Sequence, residues 1–123
     1  MGESGRPSPE FLDTTLSRPY PDTAVLAARG EVDSLTAPDF RAAIEELLEA
    51  SERVLVIDLT EVRFLASSGL AALIAAAHAA EDRGIRLRLV ISNRAVRRPL
   101  EITGTGELFD LHTDPVSACG GRD

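Results

Sequence analysis

The sequence predicts an α/β fold: one domain in which helices pack on a mixed, mostly parallel β-sheet. Three observations carry this. Apolar runs of strand length alternate with stretches of helical periodicity through most of the chain, the pattern of β-α-β units. Val54-Leu55-Val56-Ile57 is a continuous β-branched-rich run, as expected of a central strand covered on both faces. The first two strand-like runs are joined by a proline-containing turn alone, so they open the fold as an antiparallel hairpin.

Residues 1–10 are rich in Gly, Ser and Pro and are expected to form a disordered tail ahead of a domain spanning 11–113. Residues 11–16 read as the first strand. Arg18-Pro19-Tyr20-Pro21-Asp22 supplies the turn, and residues 23–29 form the second strand, ended by Gly30. Thr36 is placed to cap the next helix, with Pro38 tolerated in the first turn and Asp39 completing a capping-box-like pair. Phe40, Ile44, Leu47 and Leu48 then make one apolar stripe opposite a glutamate-rich face. Residues 53–59 form the central strand, 60–66 a connector, and about 68–82 the second helix. In that helix Leu70, Leu73, Ile74 and Ala77 lie at helical spacing, and Gly84 suits its C-terminal cap. Ile85, Leu87, Leu89 and Ile91 alternate with Arg86, Arg88 and Val90, a half-exposed strand. Residues 93–102 read as a short third helix, which Pro99 should kink or force to start late. Gly104-Thr105-Gly106 is a turn before a short strand at 108–111, and residues 114–123 are expected to be a flexible tail or helical stub. The predicted order is β-β-α-β-α-β-α-β.

Composition narrows the function. At 123 residues the chain is long enough to bury a real core. No apolar run approaches the roughly 18–20 residues of a membrane-spanning helix, and no secretory signal pattern opens the sequence. The lone Cys119 has no internal disulfide partner, which fits a reducing compartment; the expected location is cytoplasmic. A net charge of −7 repels phosphate backbones and argues against a direct nucleic-acid partner. Every basic residue is arginine, and six arginines fall between residues 83 and 98 in a stretch without an acid. They read as solvated faces of a strand and a helix, or as a basic docking patch for an acidic protein partner.

Catalytic readings fail cleanly. His78 and His112 are isolated in sequence and there is no second cysteine, so no metal-ligand pattern exists. Gly104 and Gly106 lack the rest of any phosphate-loop motif, and Ser67-Ser68-Gly69 is not a nucleophile elbow. His78 lies ten residues beyond Ser68, roughly 15 Å along a helix, where a dyad needs hydrogen-bond contact. Nothing recommends His112. The chain is therefore read as a non-enzyme without a cofactor. What remains is Ser67 at the start of a helix that follows the central strand. Spacing alone favours a helix cap. A helix N-terminus also stabilises an anion, so a phosphoserine there could be carried without unfolding the domain. It would add about −1.5 to −2 charges to the surrounding surface.

The local sequence says more. The run Val54-Leu55-Val56-Ile57-Asp58-Leu59-Thr60-Glu61-Val62-Arg63-Phe64-Leu65-Ala66-Ser67-Ser68-Gly69-Leu70 closely resembles the signature of the STAS domain family, the fold of bacterial anti-sigma-factor antagonists. Gly30-Glu31-Val32-Asp33 with Thr36-Ala37 looks like a flanking segment of that family. Leu100-Glu101-Ile102-Thr103-Gly104 with Glu107-Leu108-Phe109 is similar to its later helix-turn-strand. The resemblance covers roughly residues 11–112. It implies a STAS-like domain whose partner is an anti-sigma factor with serine kinase activity. It implies that Ser67 is phosphorylated, that Ser68 and Gly69 complete the helix start, and that Asp33 is an acidic position near that loop. These four residues are the expected partner-binding set. A phosphatase acting on Ser67 would reset the switch, and transcription would be regulated indirectly through partner switching. The sequence departs from the family at Ala66, where an Asp is typical, at Thr105, and in an abbreviated C-terminal helix. The resemblance also leaves open a STAS-domain subunit of a transporter-associated or stress-signalling scaffold without phosphorylation switching.

Overall fold

The computed structural model describes residues 12–120. The expected tail at 1–10 lies outside them, as do the last three residues. The described elements are β1 (Leu12–Tyr20), β2 (Thr23–Val32), α1 (Ala37–Glu49), β3 (Val54–Leu65), α2 (Ser67–Asp82), β4 (Arg88–Val90), α3 (Arg94–Thr103), β5 (Asp110–His112) and α4 (Pro115–Ala118), with a 3-10 turn at Gly106–Leu108. The sheet order is β1-β2-β3-β4-β5; β1 and β2 pair antiparallel and every other neighbouring pair is parallel. This is the mixed, mostly parallel α/β architecture that the sequence predicts, with α4 appended.

Spatial order follows chain order, so right-handed crossovers place α1, α2 and α3 on the same face. The main core lies between them. Ala24, Leu26, Leu55, Ile57, Leu59 and Leu89 of the strands meet Phe40, Ile44, Leu47, Leu73, Val96 and Leu100 of the helices. The middle helix is α2, which touches both α1 and α3. On the opposite face a small cluster of Val25, Val56 and Val90 is closed by Ala118. That second cluster explains the unbroken apolar run of β3: Leu55 and Ile57 face the helices while Val56 faces α4, and all three are fully buried.

Several boundaries differ from expectation. Gly30 does not end β2. It takes a φ of 119, open to glycine, at a register shift against β3, and the strand continues to Val32. The expected connector at 60–66 is strand as far as Leu65, because β2 and β3 run on together beyond the rest of the sheet. Glu31 pairs with Phe64 and Val32 with Leu65, past a bulge where Asp58 Oδ1 accepts from the Thr60 amide at 3.0 Å. β4 is confined to the three residues that pair with Val56, Ile57 and Asp58. β1 continues through the expected turn to Tyr20, with Pro19 at a register irregularity on this edge strand. α3 does not start late: Asn93 caps it, its Oδ1 accepting from the Val96 amide at 3.2 Å, and Pro99 sits inside the helix. The last strand is displaced to Asp110–His112 by the 3-10 turn.

Candidate functional site at the start of α2

The long ends of β2 and β3 build the site. The Ala66 amide donates to Val32 O at 2.8 Å, fixing the point where β3 stops. Ala66 is the N-cap of α2, with extended backbone, so Ser67, Ser68 and Gly69 are its first three helical residues. Neither serine is the cap that spacing suggested. No side chain caps this helix end. The first-turn amides have no intrahelical acceptors, so they present an unneutralised positive helix end.

The three residues following Ala66 do different things. Ser67 is exposed. Ser68 is turned inward, and its hydroxyl oxygen is enclosed without a hydrogen-bond partner among the described residues. Gly69 is buried against β2: a Cβ there would stand 2.5 Å from Val32 Cγ1 and 2.7 Å from Leu65 Cδ1. The glycine is what lets α2 lie this close to the strand ends.

Asp33 follows β2 directly. Its Oδ1 accepts from the amides of Leu35 (2.9 Å) and Thr36 (3.1 Å), while Thr36 Oγ1 donates to Glu31 O at 2.8 Å and accepts from the Asp33 amide at 2.9 Å. Thr36 therefore locks the β2–α1 loop rather than capping α1 with its side chain, and the expected pairing with Asp39 does not form. Val32 joins the two halves of the site, since it bonds Ala66, touches the Gly69 position and precedes Asp33. All four partner-binding residues expected from the sequence thus lie at the carboxyl end of β2 and β3.

Two members of this end were not singled out by sequence reasoning. Leu35 is 70% exposed and Phe64 is 49% exposed. The signal for Phe64 was its place beside the buried Leu65 in a strand, where successive side chains point to opposite faces. Neither histidine joins the site. His78 is exposed further along α2. On β5, His112 Nδ1 shares a 2.7 Å hydrogen bond with Ser117 Oγ, and Asp110 Oδ2 lies 3.3 Å from Nε2 but off the line of a hydrogen bond. That contact pins α4 to β5. Among the described residues no group of three His, Cys, Asp or Glu could hold a metal ion, and no helix is long and apolar enough to cross a membrane.

A five-stranded sheet with α1, α2 and α3 on one face and the short α4 on the other presents a bare helix N-terminus with an exposed serine, a fold-and-site arrangement of an α/β regulatory domain. The chain belongs to the STAS domain family of anti-sigma factor antagonists. The family model described as "Mlab, STAS domain" matches residues 18–111. The chain is 31% identical over 119 residues to the anti-sigma-F factor antagonist RsfB of Mycobacterium tuberculosis, covering 94% of this chain and 96% of that protein. The crystal structure of an anti-sigma factor antagonist from Mycobacterium paratuberculosis is similar with a TM-score of 0.79 and 30% identity, covering 90% of this chain and 93% of the other. The Bacillus cell fate determinant SpoIIAA in its phosphorylated form shares the fold, with a TM-score of 0.63 and 19% identity over 83% of this chain and 93% of the other.

Proposed function

We propose that the chain is a phosphorylation-switched antagonist: unmodified, it binds an anti-sigma factor that is also a serine kinase, and a phosphate on Ser67 releases it. The observation that carries this reading is the exposed Ser67 at the first position of a helix whose N-cap, Ala66, offers no acceptor. First-turn amides left free in this way can receive phosphate oxygens, so the new charge is held without unfolding the domain. The same charge and bulk conflict, electrostatically and sterically, with a partner surface fitted to the unmodified helix start. RsfB and the Mycobacterium paratuberculosis protein are antagonists of anti-sigma factors by name, and SpoIIAA is a protein of this fold that exists phosphorylated. The chain acts by binding rather than by catalysis, in the cytoplasm, without a cofactor and without touching nucleic acid. A phosphatase returns phosphorylated Ser67 to serine.

The test is to incubate the protein with its cognate anti-sigma kinase and ATP and to locate the phosphate by mass spectrometry. Modification confined to Ser67, with loss of the complex, is expected. Modification elsewhere, or none while the complex forms normally, overturns the switch.

A further inference from the structure

The outward faces of the three helices form a layer with three distinct parts. On α1 the exposed charged residues are Asp39, Glu45, Glu46 and Glu49, with Arg41 the single base among them. On α3 the exposed charged residues are Arg94, Arg97, Arg98 and Glu101, three bases and one acid around one depression, with Ile102 and Thr103 exposed at the end of the helix. Between them, α2 has no charged residue from Ser67 to Ala80, and its outward positions are Ser67, Ala71, Ala75 and His78. A helix that is apolar all round is normally covered all round. Here α2 is covered by the core on its inner side and by α1 and α3 on its flanks, while its outward strip is left exposed.

The basic strip is not a by-product of composition, because the chain as a whole carries a net charge of −7. Nor are its arginines held in close ion pairs, and with Glu101 beside them the strip keeps an excess of positive charge. Arg18, Arg29, Arg63 and Arg88 each stand within 4 Å of a carboxylate oxygen, whereas among the described residues Arg94, Arg97 and Arg98 do not. The small uncharged face of α2 permits close approach but carries little directional information. Charges flanking such a face fix orientation and speed encounter.

We propose that this three-part surface is where the anti-sigma factor docks, and that its charge gradient sets the orientation: an acidic segment of the partner lies over Arg94, Arg97 and Arg98, and a basic segment over Glu45, Glu46 and Glu49. The inference rests on the antagonist reading above and adds the chemistry of the partner's surface. Ser67 stands on the same outward face of α2, so the proposed phosphate enters the docking area itself. A second copy of this chain would also offer opposite charges to each strip, but two bodies of net charge −7 repel one another. The gradient therefore favours a partner of different composition.

The test measures binding of the cognate anti-sigma factor at several salt concentrations. The charge reversal R94E/R97E/R98E is expected to weaken the complex about ten- to a hundredfold at low salt, mainly through slower association, and to flatten the salt dependence. R94K/R97K/R98K, which keeps the charges, should stay within about threefold of the original protein. All three positions are exposed, and matching melting curves establish that the variants fold. If the original protein binds and the reversal binds equally well, the orientation is wrong while the antagonist reading stands. If the original protein binds no anti-sigma factor, that reading fails and the docking proposal with it. If the reversal instead abolishes a dimer seen by sedimentation and leaves anti-sigma binding intact, the surface is an interface between copies and the proposal is overturned.

Discussion

Replacing Gly69 with alanine places one methyl group where α2 meets the strand ends, and its effect can be worked out from the contacts. The new carbon would stand 2.5 Å from Val32 Cγ1, 2.7 Å from Leu65 Cδ1 and 3.2 Å from Val32 Cβ. Carbon atoms in contact settle at about 3.5–4.0 Å, so the surroundings must yield by roughly 1 Å. Val32 is fully buried and stiff at its branched Cβ, and Leu65 is 4% exposed, so neither can swing aside cheaply. Overpacking of this kind costs about 1–3 kcal/mol. Exchanging glycine for alanine inside a helix returns at most about 1 kcal/mol. The net expectation is a loss of about 1–2 kcal/mol, read as a lower urea midpoint at unchanged slope. In a thermal melt of a chain this size it is a fall of about 4 °C per kcal/mol. Because Val32 also accepts the Ala66 amide, the displaced helix should carry Ser67 with it, and affinity for the anti-sigma factor should fall beyond what stability explains. A Gly69→Ala protein as stable as the original, or more stable, refutes the claim that close approach is what this position requires.

Four further outcomes are expected. Ala66→Asp supplies the missing cap acceptor and should raise stability by about 1 kcal/mol in urea, while occupying amides that the phosphate would otherwise use. Asp33→Ala removes the acceptor of the Leu35 and Thr36 amides and should cost about 1–2 kcal/mol; Asp33→Asn keeps an Oδ1 acceptor and should cost clearly less, a ranking that paired denaturation curves check. Ser67→Asp should weaken the anti-sigma complex while its melting temperature stays within a few degrees of the original, since the side chain is exposed at a helix end that favours negative charge. Burial pushes the Cys119 thiol up, so at neutral pH its thiolate is scarcer than in the unfolded chain. Alkylation should be slow in the native protein and speed up when urea releases α4.

The layered architecture was legible because it depends on periodicity that the sequence shows openly, in Phe40-Ile44-Leu47-Leu48 and in Val54 to Ile57. Boundaries were less so, for reasons of tertiary contact. Residues 60–65 lack strand alternation because the bulge beyond Asp58 interrupts it, and they become strand only by pairing with an extended β2. Gly30 reads as a terminator locally yet serves as a bulge inside a strand. At the candidate site, motif reading named Asp33, Ser67, Ser68 and Gly69 but not their geometry. That Ala66 takes the cap position, and that Thr36 spends its hydroxyl on the loop, depends on where Val32 and Glu31 present their carbonyls. The exposed Leu35 was hidden because nothing in an apolar residue's identity says which way a loop turns it, and Phe64 because strand alternation gives no signal in a run read as a connector.

Ser67 and Ser68 differ by one position, and one helical step of about 100° separates their directions. The fold uses that step to send one hydroxyl into solvent and to enclose the other. A free peptide copied from residues 63–70 would carry both hydroxyls on a backbone able to turn either one outward. Selection between two chemically identical neighbours is therefore a property of the folded domain and not of the motif. Under the proposed switch, a kinase would read the state of folding along with the sequence, and a molecule whose α2 had come loose would lose the distinction between its two adjacent serines.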